Sequence, residues 1–159
     1  MTSTKSAWTL HAHAARLLLA AGVILVVLAL AACQRAPAEQ QVRAAIESAA
    51  TAARANDAGA LLAFVSGDFS GNDGELDRHG LRQLLAVRAL RQDKTGVLIG
   101  PVSFERRGDR IIARFNLVLT GGKPGDLLPQ RSAIYAMTTA WRQEGRDWRC
   151  YNARWESKV

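Results

Sequence analysis

The stretch RIIARFNLVLT, from Arg110 to Thr120, places an apolar side chain at every second position. Successive side chains of a β-strand point to opposite faces of the sheet, so this period of two predicts a strand with one buried face. The side chains predicted to face inward are Ile111, Ala113, Phe115, Leu117 and Leu119. The opposite face would carry polar side chains, namely Arg110, Arg114 and Asn116. This stretch therefore predicts a half-buried strand of an antiparallel sheet.

The same period continues on both sides of that strand. Val97 to Phe104 predicts a strand before it, and Pro101, which has no N–H to donate, indicates a sheet edge or a bulge. Arg131 to Arg142 and Trp148 to Trp155 predict two strands after it, separated by a turn at Gly145. The second half of the chain is thus predicted to form a four-stranded antiparallel meander.

Helical periodicity replaces this pattern in the first half of the chain. Glu39 to Ala55 is rich in Ala and keeps its apolar residues on one helical face. Asp57 can cap a second, shorter helix, and Asp77 can cap a third. The Gly- and Asp-rich segment Ser66 to Asp77, between the second and third helices, predicts a loop. Helices followed by a meander predict an α+β fold, with the helices packed on one face of the sheet.

Two segments carry a resemblance to a known family. They are ARANDAGALLAFVSGDF, from Ala53 to Phe69, and the ending GRDWRCYNARW, from Gly145 to Trp155. Together with the third helix and the four strands, they resemble the nuclear transport factor 2-like superfamily, which includes SnoaL-like and ketosteroid-isomerase-like enzymes. The resemblance implies a curved, four-stranded antiparallel sheet wrapped as a cone on the helices, often enclosing an apolar pocket. Because members include enzymes, small-molecule binders and assembly domains, the fold alone does not determine function.

The N-terminal segment differs in character from the rest of the chain. Met1 to Arg16 is polar with a few basic groups, and Leu17 to Leu30 is apolar without interruption. Leu17 to Cys33 is 17 residues long, shorter than the roughly 20 apolar residues that a membrane-spanning helix needs. The pattern therefore predicts a signal peptide over residues 1–32, and the alternative is a retained membrane anchor.

The tetrapeptide Leu30-Ala31-Ala32-Cys33 resembles the lipobox of bacterial lipoproteins. The resemblance implies cleavage after Ala32, diacylglycerol on the Cys33 thiol and acylation of the new amino group. The alternative is an ordinary signal peptidase site near Ala31-Ala32. Gln34, rather than Asp, follows the cysteine, which favours the periplasmic face of the outer membrane. We expect residues 33–39 to be the lipidated cysteine and a tether, and residues 40–156 to be the folded domain.

Charge and residue content argue against several classes of function. The formal net charge is +7, but the Arg residues are dispersed along the chain. A nucleic-acid binder concentrates basic charge on one face, so we expect no nucleic-acid partner. After signal-peptide removal, His79 is the only histidine and Cys150 the only thiol besides Cys33. These residues do not make a zinc site of the usual kind, so we expect no metal, no cofactor and a buried, apolar role for Cys150.

Asp68 is the acid that the family resemblance singles out. In ketosteroid-isomerase-like enzymes, a carboxylate in an apolar pocket moves protons beside a phenol or a protonated acid. The resemblance makes Asp68 the candidate catalytic base, and Tyr135 or Tyr151 could supply the phenol. The alternative is a carboxylate that caps a turn or a helix. The two predicted strands in the middle of the meander carry no Asp or Glu, which argues for binding over proton transfer.

Aromatic side chains are frequent in the last two predicted strands. They could line a pocket for an apolar ligand, form a surface for a partner protein, or fill the core of the curved sheet. The set comprises Tyr135, Trp141, Trp148, Tyr151 and Trp155.

These observations predict a non-enzymatic lipoprotein whose domain binds an envelope protein or an apolar small molecule. Its membrane contact would be the lipid on Cys33, and its sheet could pair two copies into a homodimer. The alternative is a small ketosteroid-isomerase-like or SnoaL-like enzyme, an isomerase, cyclase or hydrolase, that uses a pocket carboxylate.

Overall fold

The computed structural model describes residues 36–90, 94–122 and 131–158 of the 159-residue chain. The predicted signal peptide, Ala32 and Cys33 lie outside the described residues. Ala38, which was expected in the tether, and Glu39, where the helical pattern of the sequence begins, belong to the first turn of the first helix. There the Glu39 carboxylate accepts a hydrogen bond from Arg106 at 3.0 Å.

Three helices occupy the first half of the described chain: α1 (Ala38–Arg54), α2 (Ala58–Leu62) and α3 (Arg78–Leu90). The predicted caps are confirmed. The Asp57 carboxylate accepts a hydrogen bond from the Ala60 N–H at 2.9 Å, and the Asp77 carboxylate accepts one from the Gly80 N–H at 2.7 Å. Each cap satisfies a backbone donor that the first turn of a helix leaves unpaired.

The described strands form one seven-stranded sheet. They are β1 (Val65–Gly71), β2 (Leu76–Asp77), β3 (Lys94–Ile99), β4 (Ser103–Arg107), β5 (Arg110–Gly122), β6 (Arg131–Glu144) and β7 (Asp147–Ser157). The order is β2-β1-β7-β6-β5-β3, and β4 also pairs with β5. Strands β5, β6 and β7 make the predicted antiparallel meander, whereas β1 joins β7 in parallel. The fold class is therefore α+β, as expected, with a mixed sheet.

The predicted loop from Ser66 to Asp77 is wrong. This segment contains most of β1, a short 3₁₀ turn over Asn72–Gly74, and β2. Strand β1 gains its backbone partners from β7, about 80 residues further along the chain, and the Cys150 N–H donates to the Phe64 carbonyl at 2.8 Å. The Gly, Ser and Asp residues do carry turn chemistry, because Asn72 and Asp73 both adopt positive φ angles.

The predicted strand from Val97 to Phe104 is two strands, so the predicted count of four is also wrong. The chain leaves the sheet at Gly100, Pro101 and Val102. Strand β4 then pairs with the first half of β5, and β3 pairs with its second half. Pro101 lies where the chain leaves the edge of the sheet. The N–H that proline lacks is therefore not needed for a hydrogen bond between strands.

The hydrophobic core lies between α1 and the inward face of the sheet. Val42 and Ile46 of α1 pack in one cluster with Ile111, Ala113 and other side chains from β5, β6 and β7. Ile111, Ala113 and Val42 are all 0% exposed. The alternation in the stretch from Arg110 to Thr120 therefore predicts this face correctly. Cys150 is also buried in this cluster, as expected.

Candidate functional site

A cavity of about 440 Å³ lies between the helices and the inward face of the sheet. On the helical side, its wall includes Ala49, Ala50 and Ala53 of α1. These short side chains stand opposite long strand residues and leave the space between them open. The cavity therefore arises from small residues on the sheet-facing side of α1, next to Ile46, which belongs to the core cluster and also lines the cavity.

The sheet side of the cavity is apolar and aromatic. It is formed by Phe115, Leu117 and Leu119 of β5, Tyr135 and Met137 of β6, and Trp155 of β7. Cross-strand pairing brings these side chains together, because Leu117 pairs with Tyr135 and Met137 pairs with Trp155. A wall of this kind contacts a ligand mainly through hydrocarbon and aromatic surface.

Polar groups deep in this region are already paired within the protein. The Trp141 indole N–H donates to the Thr139 hydroxyl at 2.8 Å, and that hydroxyl donates to the Ala113 carbonyl at 3.3 Å. The Cys150 thiol donates to the Asn152 carbonyl, and burial raises its pKa to about 12. Within the part of the chain that the structure describes, the Tyr135 hydroxyl has no hydrogen-bond partner. It is therefore the polar group on the sheet wall that can orient a ligand.

The mouth of the cavity lies along α3. Leu81, Leu84, Leu85 and Arg88 line the cavity from this helix, and Leu84 is also 51% exposed to solvent. A side chain that faces both the cavity and the solvent marks the rim. The sequence predicts α3 with its Leu residues at helical spacing. That spacing is the same in a helix that lines a cavity and in a helix that packs against a core.

Asp68 does not line the cavity. Val65 and Phe69 of β1 point into it, and the alternation of the strand sends the Asp68 side chain to the opposite face. There, Arg142 binds Asp68 through two hydrogen bonds, Nη1 to Oδ2 at 2.9 Å and Nη2 to Oδ1 at 2.6 Å. Arg142 and then the Ser66 hydroxyl lower the Asp68 pKa to about 2. A carboxylate with this pKa is a weak base at neutral pH.

Asp68 belongs to a polar cluster that also includes Ser66, Arg142, Glu144 and Tyr151. Arg142 donates to Glu144 at 2.6 Å, and Ser66, which is 0% exposed, donates to Glu144 at 2.6 Å. The Arg142 guanidinium also lies 5.3 Å from the centre of the Tyr151 ring. The cluster links β1 to β6 on the outer face of the sheet. Its side chains therefore contact one another and do not contribute to the cavity.

The structure divides the five aromatic candidates into three groups. Tyr135, Trp141 and Trp155 line the cavity. Trp148 packs in the core beside it, and Tyr151 lies in the Arg142 cluster on the other face. A bulge places Trp155 on the same face as Trp148, because Cys150 pairs with Trp141 and Asn152 pairs with Ala140, which leaves Tyr151 as the extra residue.

Across residues 36–90, 94–122 and 131–158, no helix combines the length and apolar character needed to cross a bilayer. The same residues contain no group of three or more His, Cys, Asp or Glu side chains placed to hold a metal ion.

No protein-family model matches the sequence, and no curated protein matches it. Solved structures do match. A nuclear transport factor 2-like protein with a cystatin-like fold from Novosphingobium aromaticivorans is 22% identical, covering 88% of each chain, with a TM-score of 0.62.

Two other neighbours extend the comparison. A nuclear transport factor 2-like protein from Cytophaga hutchinsonii is 14% identical, covering 76% of this chain and 98% of its own, with a TM-score of 0.60. A protein from Novosphingobium aromaticivorans, named provisionally as a scytalone dehydratase, is 9% identical, covering 76% and 84%, with a TM-score of 0.64. At these identities the likeness concerns the backbone alone. This chain has the nuclear transport factor 2-like, cystatin-like α+β fold.

Proposed function

We propose that this protein is an envelope lipoprotein, held by lipid on Cys33, whose domain binds an apolar small molecule in the cavity without transforming it. The observation that carries the proposal is the cavity itself. Its volume of about 440 Å³ falls within the range of roughly 300 to 1,000 Å³ that is typical of small-molecule sites.

The cavity wall defines the class of ligand. Phe115, Leu117, Met137 and Trp155 offer hydrocarbon and aromatic surface, and each square ångström of apolar surface removed from water contributes about 25 cal/mol. The Tyr135 hydroxyl can give or accept one hydrogen bond. The best fit is therefore a mainly apolar molecule with a single polar group.

The arrangement of acids supports binding over catalysis. Among the described residues that line the cavity, Asp57 is the only carboxylate, and it accepts the capping hydrogen bond from Ala60. Asp68, the base that the enzyme alternative requires, is paired with Arg142 on the other face of the sheet. A proton-transfer enzyme of the ketosteroid-isomerase kind needs a carboxylate in contact with its ligand.

The anchoring part of the proposal rests on the sequence. Leu30-Ala31-Ala32-Cys33 follows the apolar run with the residue types and spacing of a lipobox. One acyl chain binds a bilayer reversibly, whereas two or three chains hold a protein there stably. Lipid on Cys33 would therefore keep the domain at the periplasmic face of the membrane, with Gln34 favouring the outer membrane.

The direct test is to identify what the protein carries. Full-length protein purified from its own envelope is extracted with organic solvent, and the extract is analysed by mass spectrometry. We expect one apolar molecule at close to one per chain. Ala53→Trp, which fills the cavity from α1, should lack it, and Ala44→Trp, at an exposed position of the same helix, should retain it. Equal contents in all three proteins would contradict the proposal.

A further inference from the structure

Helix α3 exposes an unusual amount of apolar surface. Leu84 is 51% exposed, Val87 50% and Leu90 84%. We call these three residues the outer α3 surface. They follow one another at intervals of three along the helix, so they form one continuous stripe. No side chain of α3 is fully buried.

The outer α3 surface is continuous with the cavity wall. At about 100° per residue, Leu81 and Leu85 lie on one side of Leu84, and Val87 and Leu90 lie on the other. Leu81, Leu84 and Leu85 line the cavity. One apolar arc therefore runs from inside the cavity, over the rim at Leu84, and out to solvent. Among the described residues, Val87 and Leu90, which form the outer half of this arc, are not part of the hydrophobic core cluster.

The charges of α3 indicate what covers that half. Between Arg78 and Leu90 the helix carries three Arg residues and no Asp or Glu. A basic helix with one apolar side is typical of segments that lie in the interface of an anionic membrane. Gln83 lies beside the outer α3 surface, and its Nε2 atom is 3.1 Å from His79 Nε2. The Gln83 amide is therefore already hydrogen-bonded within the helix.

We propose that the outer α3 surface seats in the headgroup region of an anionic phospholipid bilayer, so that the cavity opens toward the membrane and exchanges an amphiphilic lipid with it. The exchange step rests on the proposed ligand-binding function, whereas the seating of α3 does not. Three side chains are too few for a stable protein interface, which needs about 20 residues a side. They suffice for shallow insertion beside a separate anchor, which is the role predicted for Cys33.

A fluorescence measurement tests the seating of α3. The full chain carrying Cys33→Ser has Cys150 as its remaining thiol, which is buried. A thiol-reactive bimane probe can therefore be attached selectively at Val87→Cys. Ser48→Cys, at an exposed position of α1, is the matched control. Each labelled protein is mixed with vesicles of phosphatidylglycerol and phosphatidylethanolamine that contain a spin-labelled lipid quencher.

We expect the probe at residue 87 to lose about half of its fluorescence and to shift to the blue, with little change at residue 48. Pure phosphatidylcholine vesicles should give much less quenching, because the attraction between Arg side chains and anionic lipid is absent. Arg82→Glu in the Val87→Cys background should likewise reduce the quenching in anionic vesicles.

Three outcomes would overturn the inference. They are absence of quenching at residue 87, equal quenching at residues 48 and 87, and a concentration-dependent blue shift at residue 87 without vesicles. The last would mean that a second copy of the chain covers the outer α3 surface. The extraction experiment on Ala53→Trp uses no vesicles, so failure of α3 seating and failure of ligand binding are distinguishable.

Discussion

Arg142 and Asp68 join β6 to β1 across the intervening strand β7, through two hydrogen bonds of 2.6 and 2.9 Å. A guanidinium that meets both oxygens of a carboxylate is a strong and directional pair. The pairing links β1 to β6, and it keeps the Asp68 carboxylate on the face away from the cavity.

The Arg142–Asp68 pair predicts a pH dependence of stability. The Asp68 pKa is lowered from 3.8 to about 2 in the folded protein, so the folded state holds its proton less tightly than the unfolded state. The stabilisation is therefore fully present at neutral pH and is lost as the pH falls below about 4 toward 2. Because the Asp68 side chain is 63% exposed, solvent screening makes the effect modest.

Urea unfolding of wild type and Asp68→Asn measures this contribution. We expect Asp68→Asn to unfold at lower urea at neutral pH, and the difference between the two midpoints to shrink steadily as the pH approaches 2. A difference that persists unchanged at pH 2 would show that the charge of Asp68 is not its source.

Ser66 offers a test of the same cluster from its buried side. Its hydroxyl lies within hydrogen-bond distance of Asp68, Glu144 and Arg142. We expect Ser66→Ala to lower the free energy of unfolding by about 1 to 2 kcal/mol, because the charged groups around the buried hydroxyl lose a hydrogen-bond partner. Ser70→Ala is the control on the same strand, where the described contact, from Asn152, is to the backbone carbonyl. Equal effects of the two substitutions would argue against a special role for the Ser66 hydroxyl.

Gly71 is predicted to hold one wall of the cavity in place. A Cβ at residue 71 would lie 2.8 Å from the Trp155 ring, closer than atoms can pack, whereas a Cβ at Gly67 meets no atom within 4 Å. We expect Gly71→Ala to displace Trp155 and destabilise the protein by about 1 to 3 kcal/mol. Gly67→Ala should leave the thermal midpoint and the tryptophan fluorescence nearly unchanged. Similar midpoints for both variants would mean that the Trp155 ring moves aside without cost.

Lipid attachment at Cys33 is testable in cells. Metabolic labelling with a radioactive fatty acid should mark the wild type and the Cys150→Ala control, and it should not mark Cys33→Ser. Mass spectrometry of the mature N-terminus should begin at Cys33, after cleavage at Ala32. Equal labelling of Cys33→Ser would contradict lipid attachment at Cys33. It would not bear on the proposal that the cavity binds a ligand.

Local patterns predicted much of the fold. The alternation from Arg110 to Thr120 identified the inward face of β5, and Asp57 and Asp77 identified two helix starts through their capping chemistry. Each of these signals depends on residues near one another in the chain. The meander also follows from local turns, because antiparallel neighbours can be joined by a few residues.

Features that depend on distant partners could not be predicted in this way. Strand β1 exists because β7 pairs with it in parallel, and its own Gly- and Ser-rich sequence favours a turn. The bulge at Tyr151 turns Trp155 to the inward face, and no turn residue marks it. The cavity itself depends on alanines of α1 facing Phe115 and Leu117, a match that appears only when the elements are packed.

We expect the cavity between α1 and the sheet to bind an apolar ligand, and a titration with the apolar fluorophore N-phenyl-1-naphthylamine measures this binding. The wild type and Ala44→Trp should bind one probe per chain with strong fluorescence enhancement. Ala53→Trp should show none at the same concentrations while keeping its circular dichroism spectrum. Undiminished probe binding by folded Ala53→Trp, or no binding by the wild type, would contradict ligand binding in this cavity.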